Sequence, residues 1–223
     1  MSSPTRQTKV YKVLLVDDHP IVRHGLSKLI EQAPDLEVCG EAASSAEALQ
    51  IIRETDPEVV VIDISLGGGN GLELIKQIKA QGSDARLLVS SMHDELLYAE
   101  RSLRAGAMGY INKIEGTEKI IEAIHQILTG RIYLSGPMTE RVLQRMMQNS
   151  PEPGSSPVDA LSDRELEVFE MIGHGQTTRQ IAKKLHLSPK TIETHREHIK
   201  TKLHLQNNNE LVRQAVQWAL ENQ

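Results

Sequence analysis

Apolar and polar positions along the chain follow two periods, and the change from one to the other divides it. Between residues 10 and 130, short runs that are apolar throughout alternate with segments of helical period. Val13–Val16, Val59–Ile62 and Leu87–Val89 carry no polar position, the pattern of parallel strands buried on both faces. Two weaker runs, Glu37–Gly40 and Gly109–Asn112, predict two more strands. Between the strands, Ile21, Val22, Leu26, Leu29 and Ile30 recur at helical spacing, as do Leu72, Ile75 and Ile78, and then Ile120, Ile121, Ile124, Ile127 and Leu128. Strand and helix alternation of this kind predicts a doubly wound α/β domain with a five-stranded parallel sheet over residues 10–130.

Beyond Gly130 the pattern loosens. A helix is predicted over 138–147, and the stretch NSPEPGSSPVDA that follows is rich in Pro, Ser and Gly, so 131–160 reads as a linker carrying one helix. From Leu161 to the end at residue 223, only helical patterns occur. Ser162 with Glu165, Thr177 with Gln180, and Asn207 with Glu210 have the spacing of an N-cap and its third helical residue, and Pro189 after Ser188 marks another helix start. Four short helices in this length predict a small all-α domain.

Composition adds bounds rather than a fold. The 223 residues are 39% hydrophobic and 25% charged, ordinary values for a globular protein, and no run approaches the ~20 apolar residues needed to span a bilayer. The opening residues lack the apolar core of a secretory signal, and the single Cys39 cannot form an internal disulfide, so the cytoplasm is the expected compartment. The net charge of −5 conceals an asymmetry: Arg179–His204 contains seven lysines and arginines against two glutamates, a local +5, which leaves −10 for the remainder. An acidic body with one basic segment points to a local polyanion site.

Chemistry collects where the predicted strands end, the place where open α/β sheets bind ligands. Asp17 and Asp18 end the first strand, Asp63 ends the third, Ser90 and Ser91 end the fourth, and Lys113 follows the fifth. Converging carboxylates suit Mg²⁺, and a phosphoryl group would complete the charge balance. In such a site one carboxylate attacks phosphorus, Asp63 being central enough to do so, while the metal and Lys113 neutralise the phosphoryl oxygens and a serine hydroxyl donates a hydrogen bond. In the C-terminal region, a helix near Thr178–Leu185, a short turn and a helix from Pro189 have helix-turn-helix spacing. Ile181, Ala182 and Leu185 are expected to face Ile192, Ile199 and Leu203, with Lys190, Thr191, Thr194, His195, Arg196 and Lys200 turned partly outward to phosphates and base edges.

The segments LLVDDHP, VVVIDISLGGGNG, LLVSSMHD and GYINK, in that order and at that spacing, closely resemble the receiver domain of two-component response regulators over about residues 10–130. The resemblance implies a flavodoxin-like fold with Asp63 as phosphoacceptor, Asp17 and Asp18 as the acidic pair for Mg²⁺, and Asp63 itself and the backbone carbonyl of Ser65 as further metal ligands. It also implies that Ser91, which directly precedes Met-His-Asp, is the switch hydroxyl, that Lys113 is the phosphate-sensing lysine and that Tyr110 is the aromatic switch residue. The chain departs from the family after the phosphoacceptor, where Leu66 and Gly67 replace the usual Met-Pro and Gly68 and Gly69 follow. LSDRELEV, IAKKLHLSPKTIETH and KTKLHLQNNNELV resemble the LuxR-type helix-turn-helix over 161–218, and the two together are similar to the NarL/FixJ subfamily. By that resemblance the helix from Pro189 is the recognition helix, with Lys190, Thr191, Thr194 and His195 toward DNA and Lys183, Arg196 and Lys200 toward phosphates. The implied partners are a sensor histidine kinase, a promoter with an inverted repeat, and a second copy of the chain once phosphorylated, with no membrane. An enzyme acting on a diffusible phosphate ester is the contrasting reading, disfavoured because Ser65, not an acid, stands two residues after Asp63. A phosphorylation-independent interaction module is the other, disfavoured by the complete set of Asp17, Asp18, Asp63, Ser91 and Lys113.

Overall fold

The computed structural model describes residues 9–67, 69–92, 95–115, 118–147 and 157–221. It divides into two compact units, residues 1–66 with 71–135, and residues 136–223 with the short stretch 67–70. Most of the Pro- and Ser-rich segment expected to be a linker lies outside the described residues; only Pro157–Ala160, a turn of 3₁₀ helix, is described.

In the first unit, strands β1 (Tyr11–Val16), β2 (Leu36–Ala42), β3 (Val59–Ile62), β4 (Arg86–Ser91) and β5 (Gly109–Asn112) form one sheet. The strand order is β2-β1-β3-β4-β5, and every pairing is parallel. Helices α1 (Pro20–Ile30), α2 (Ser45–Thr55), α3 (Gly71–Ala80), α4 (Glu95–Ala105) and α5 (Glu118–Leu128) provide the crossovers. The apolar strand runs behave as their pattern demands. Val13, Leu15, Val59, Val61, Leu88 and Ile111 form one core cluster with Ile30 of α1 and with Ile120, Ala123, Ile124 and Ile127 of α5. The alternate residues Leu14, Val16, Val60, Ile62, Leu87 and Val89 are equally buried, so both sheet faces are covered. Each such side chain contributes about 1.5–3 kcal/mol by leaving water.

Several strands extend past their apolar runs because the ladder continues where one neighbour still pairs. β2, expected over 37–40, runs from Leu36 to Ala42 against the whole of β1, with a register shift between Val13 and Leu14. The far edge is also extended. Gly109 forms an isolated parallel bridge with Tyr133, Tyr110 N donates to Tyr133 O at 3.0 Å, and Tyr133 N donates to Met108 O at 3.0 Å. Two-residue extended stretches at Ser65–Leu66 and Gly69–Asn70 lie outside the main sheet.

The second unit contains α6 (Gly136–Met147), α7 (Asp163–Gly173), α8 (Thr178–Lys184), α9 (Pro189–Lys202) and α10 (Asn208–Glu221). Its helix starts are locally encoded. Ser162 and Thr177 form reciprocal capping boxes with Glu165 and Gln180, Ser188 accepts from Thr191 N at 3.0 Å, and Asn207 accepts from Glu210 N at 3.0 Å. Each cap satisfies backbone donors that helix geometry leaves open, worth about 1 kcal/mol. Leu166, Phe169, Ile172, Ile181, Leu185, Ile192, Ile199, Leu203, Leu211 and Ala215 are buried. Trp218 packs edge-on against Phe169 with centroids 5.6 Å apart. Of the apolar residues in α10, Val212 and Val216 are 41% and 36% exposed, so the core face of that helix is Leu211, Ala215, Trp218 and Ala219.

Candidate functional site

The acidic residues are fixed by backbone pairing one step beyond the strands that carry them. Asp17 N donates to Ala42 O at 3.1 Å, and Asp63 N donates to Val16 O at 2.8 Å. β1 and β3 are adjacent central strands at the point where the order of connection reverses, so the two side chains share the crevice at the carboxyl end of the sheet. Both are buried, Asp17 at 3% and Asp63 at 5% exposure. Lys113, in a 3₁₀ turn directly after β5, places Nζ 2.6 Å from Asp17 Oδ2 and 2.6 Å from Asp63 Oδ2. Burial pulls the Lys113 ammonium down, but the charges and hydrogen bonds of Asp63 and Asp17 outweigh it and raise its pKa above the ordinary lysine value. The lysine is a fixed positive charge beside two carboxylates.

Asp18, His19 and the backbone complete the constellation. Ligating atoms of Asp17, Asp18, His19 and Asp63 all lie within 4.8 Å of one another. Asp18 Oδ1 is buried without a hydrogen-bond partner, although His19 Nδ1 stands 2.7 Å away in an ion-pair arrangement. An under-satisfied carboxylate oxygen among other carboxylates is the donor chemistry of a hard divalent cation, so Asp17, Asp18 and Asp63 fit Mg²⁺. His19 was absent from the sequence-predicted set. Its backbone N–H donates to Asp17 Oδ1 at 2.8 Å, which orients that carboxylate, and its adjacency to the acidic pair was the available signal. Arg23 is a second omission: its guanidinium donates to the Asp17 carbonyl and pairs with Glu41. Ser65 N donates to Asp63 Oδ1 at 3.4 Å. Ser90 and Ser91 are both buried at the end of β4, and Tyr110 is fully buried within β5.

Beside Asp63 the chain also packs closely against a residue without a side chain. α3 begins at Gly71, whose N–H donates to Ile64 O at 2.8 Å. A Cβ at this position would lie 2.1 Å from the Asp63 carbonyl oxygen and 2.9 Å from Ile64 Cα. Only glycine lets the helix start so close to the chain that carries Asp63. The glycines that mark the departure from the family pattern are Gly67, Gly68 and Gly69, of which Gly68 lies outside the described residues.

In the second unit, α8, the turn Leu185–Ser188 and α9 form the expected helix-turn-helix. Ile181, Ala182, Leu185, Ile192, Ile199 and Leu203 are all buried, as their spacing predicted. Lys183, Lys190 and Thr194 are exposed, Thr191 and His195 are half-buried, and Lys200 lies close to Glu197 with its side chain 14% exposed. Arg196 corrects the sequence reading. It is only 9% exposed, because position 196 lies one helical turn from Ile192 and three residues before Ile199 on the inward face. Charge alone argues for an outward Arg196, but helical register turns it inward. His195 has a pKa below the ordinary histidine value, chiefly through burial and then through the nearby Arg164 charge, so it is not a reliable cation at neutral pH. The outward face instead carries two carboxylates that the sequence reading counted only as charge, Glu193 and Glu197.

Comparisons with known proteins agree with this geometry. Residues 13–125 match the family model described as response regulator receiver domain, and residues 159–215 match that of bacterial regulatory proteins, luxR family. The chain is 35% identical to response regulator GacA of Pseudomonas aeruginosa over 205 residues, covering 92% of this chain and 95% of GacA. It is also 35% identical over 209 residues to the oxygen regulatory protein NreC of Staphylococcus carnosus, covering 92% and 96% respectively. Among solved structures, it is similar to RcsB from Salmonella enterica serovar Typhimurium bound to promoter rprA in the presence of phosphomimetic BeF3⁻, with a TM-score of 0.61 and 26% identity over 92% of this chain and 98% of that one. Among the described residues no helix is long and apolar enough to cross a membrane. The sheet with its acidic crevice, the helix-turn-helix and these matches place the chain in the NarL/FixJ family of response regulators, in which a receiver domain governs a LuxR-type DNA-binding domain.

Proposed function

We propose that Asp63 is the residue at which this regulator is phosphorylated, with a receiver over 10–130 and the DNA-binding domain over 161–223. The observation that carries the reading is Lys113 Nζ, 2.6 Å from both the Asp63 and the Asp17 carboxylates in a buried crevice at the strand ends. A carboxylate oxygen of Asp63 attacks the phosphorus of a phosphohistidine on a sensor kinase, the P–N bond breaks, and its electron pair leaves with the imidazole, which takes up a proton. An acyl phosphate results. Lys113 is already placed to neutralise the added charge, so the lysine need only exchange a carboxylate oxygen for a phosphoryl oxygen. Asp17, Asp18, Asp63 and the Ser65 carbonyl would hold Mg²⁺, which supplies charge neutralisation for the phosphoryl oxygens when bound. Ser91 donates its hydroxyl to the phosphoryl group, and Tyr110 repacks as β4 and β5 adjust. No turnover of a diffusible substrate is assigned to this crevice.

In the helical domain, Lys190, Thr191, Thr194 and His195 of α9 face DNA, while Lys183 and Lys200 serve phosphates; Arg196, buried on the inner face of α9, does not. RcsB supports a promoter as partner, since it is described both on promoter DNA and as two dimers on two parallel DNAs. Phosphorylation then favours a homodimer whose recognition helices meet an inverted repeat about one helical turn apart. Such a protein works beside the chromosome, in the cytoplasm. Incubation with radiolabelled acetyl phosphate and Mg²⁺ tests the phosphorylation reading. Wild type should incorporate label that Asp63→Asn loses, and wild-type labelling in Asp63→Asn would refute it.

A further inference from the structure

The outward stripe of α9 has an unexpected charge. Lys190, Glu193, Thr194 and Glu197 are spaced three, four and seven residues apart and all exposed, so they share one face near the N-terminal half of the helix. A carboxylate on a surface that meets polyphosphate is repelled unless it finds a donor, and the donors of the major groove are amino groups on base edges. Glu197 lies 2.9 Å from Lys200 Nζ. Glu193 is held differently. Its Oε1 accepts a hydrogen bond from Thr178 Oγ1 at 2.7 Å, and its Oε2 lies 3.7 Å from Nε of the buried Arg196, a nitrogen without a hydrogen-bond partner. Thr178 opens α8 and Arg196 sits on the inner face of α9, so the carboxylate is hydrogen-bonded from α8 and faces a guanidinium of its own helix. It nevertheless remains half exposed, with its side chain at 50%. A surface glutamate ordinarily samples many rotamers; the bond from Thr178 favours those that keep this carboxylate beside α8.

We infer that Glu193 is the base-reading residue of the recognition helix and accepts a hydrogen bond from the N4 amino group of a cytosine, with Thr178 and Arg196 as positioning residues. The inference rests on α9 being the recognition helix. Cytosine is favoured over adenine because its major-groove edge offers a donor alone, whereas adenine sets the N7 acceptor beside its amino group, where a carboxylate is repelled. Replacing the carboxylate by an amide supplies both donor and acceptor, which matches adenine.

The full-length chain is used to select duplexes from a random-sequence pool, and the selected site is then varied one base pair at a time. Wild type should prefer C·G at one position of each half-site by about tenfold. Glu193→Gln should move that preference to A·T, and Glu193→Ala should abolish it while every other position keeps its preference. Thr178→Val should weaken discrimination at the same position only, and Thr178→Ser, which keeps the hydroxyl, should retain it. If Glu193→Gln and Glu193→Ala keep the wild-type preference at every position, the inference is overturned, and a uniform fall in affinity would assign Glu193 to structure alone. Lys190→Ala and Thr194→Ala separate the two readings. Altered selection by these variants with none from Glu193 variants leaves the recognition helix standing and removes Glu193 as its reader, whereas no alteration from any of them overturns the recognition-helix reading as well.

Discussion

Gly71→Ala adds a single methyl group beside the phosphoacceptor. The added Cβ would stand 2.1 Å from Asp63 O, 2.9 Å from Asp63 C and 2.9 Å from Ile64 Cα. All three neighbours are backbone, so no side chain can swing aside. An ordinary carbon–oxygen contact needs about 3.2 Å or more, and α3 and the chain after β3 must therefore separate by about 1 Å. Overpacking of this kind costs about 1–3 kcal/mol, and weakening the 2.8 Å bond from Gly71 N to Ile64 O adds about 1 kcal/mol. Loss of glycine's freedom in the unfolded chain returns about 0.4–1 kcal/mol. The net expectation is a destabilisation of about 1–3.5 kcal/mol, together with displacement of the Asp63 carboxylate from Lys113. Urea unfolding and the rate of labelling by acetyl phosphate measure the two effects. Gly25→Ala is the control: Gly25 lies within α1 with open space around a Cβ, and alanine there should stabilise the protein by about 0.5–1 kcal/mol. If Gly71→Ala unfolds and labels like wild type, the steric account of the α3 start is wrong.

His204 follows α9 in a left-handed conformation, φ 55°, with Leu205 N closing back on Lys200 O at 2.8 Å. Glycine escapes the ~1–2 kcal/mol that this conformation costs other residues but loses about 0.5–1 kcal/mol of its own entropy, so His204→Gly should raise stability by up to about 1.5 kcal/mol in thermal unfolding. Glu165 gives a pH dependence. Burial pushes its pKa up, but the bond from Lys202 Nζ at 2.6 Å and those from Ser162 outweigh it and hold the pKa below the ordinary carboxylate value. A depressed folded-state pKa contributes stability above the unfolded value near ~4.3 and loses it as pH falls through the folded value. Glu165→Gln should therefore flatten the acid limb of stability below about pH 4 while lowering stability at neutral pH; an unchanged acid limb would show that the Lys202 pair is not a source of the pH dependence.

Much of this architecture is written in short stretches of sequence, because the forces that decide it act over one or two turns of chain. Val59–Ile62 has no polar position to place in water, which demands cover on both faces, and the sheet supplies it. Ser162, Thr177 and Asn207 cap helices with donors that lie within three residues, so their helix starts were legible without any fold. Asp17, Asp63 and Lys113 were legible as strand-end residues, since a parallel sheet gathers all its carboxyl ends on one side. The tertiary structure decided what depends on the distance between segments remote in sequence. That Lys113 spans Asp17 and Asp63 at 2.6 Å each is a matter of strand order and register. Tyr133 pairs with Gly109 across intervening α5, and nothing local to Tyr133 announces it. Gly71 looks like any turn glycine until the Asp63 carbonyl is found where its side chain would be. Arg196 and Glu193 show the limit most sharply, for charge argues that the arginine belongs in water, whereas packing of α8 and α7 against α9 makes the position of Arg196 interior and leaves Glu193, held by Thr178, at the surface.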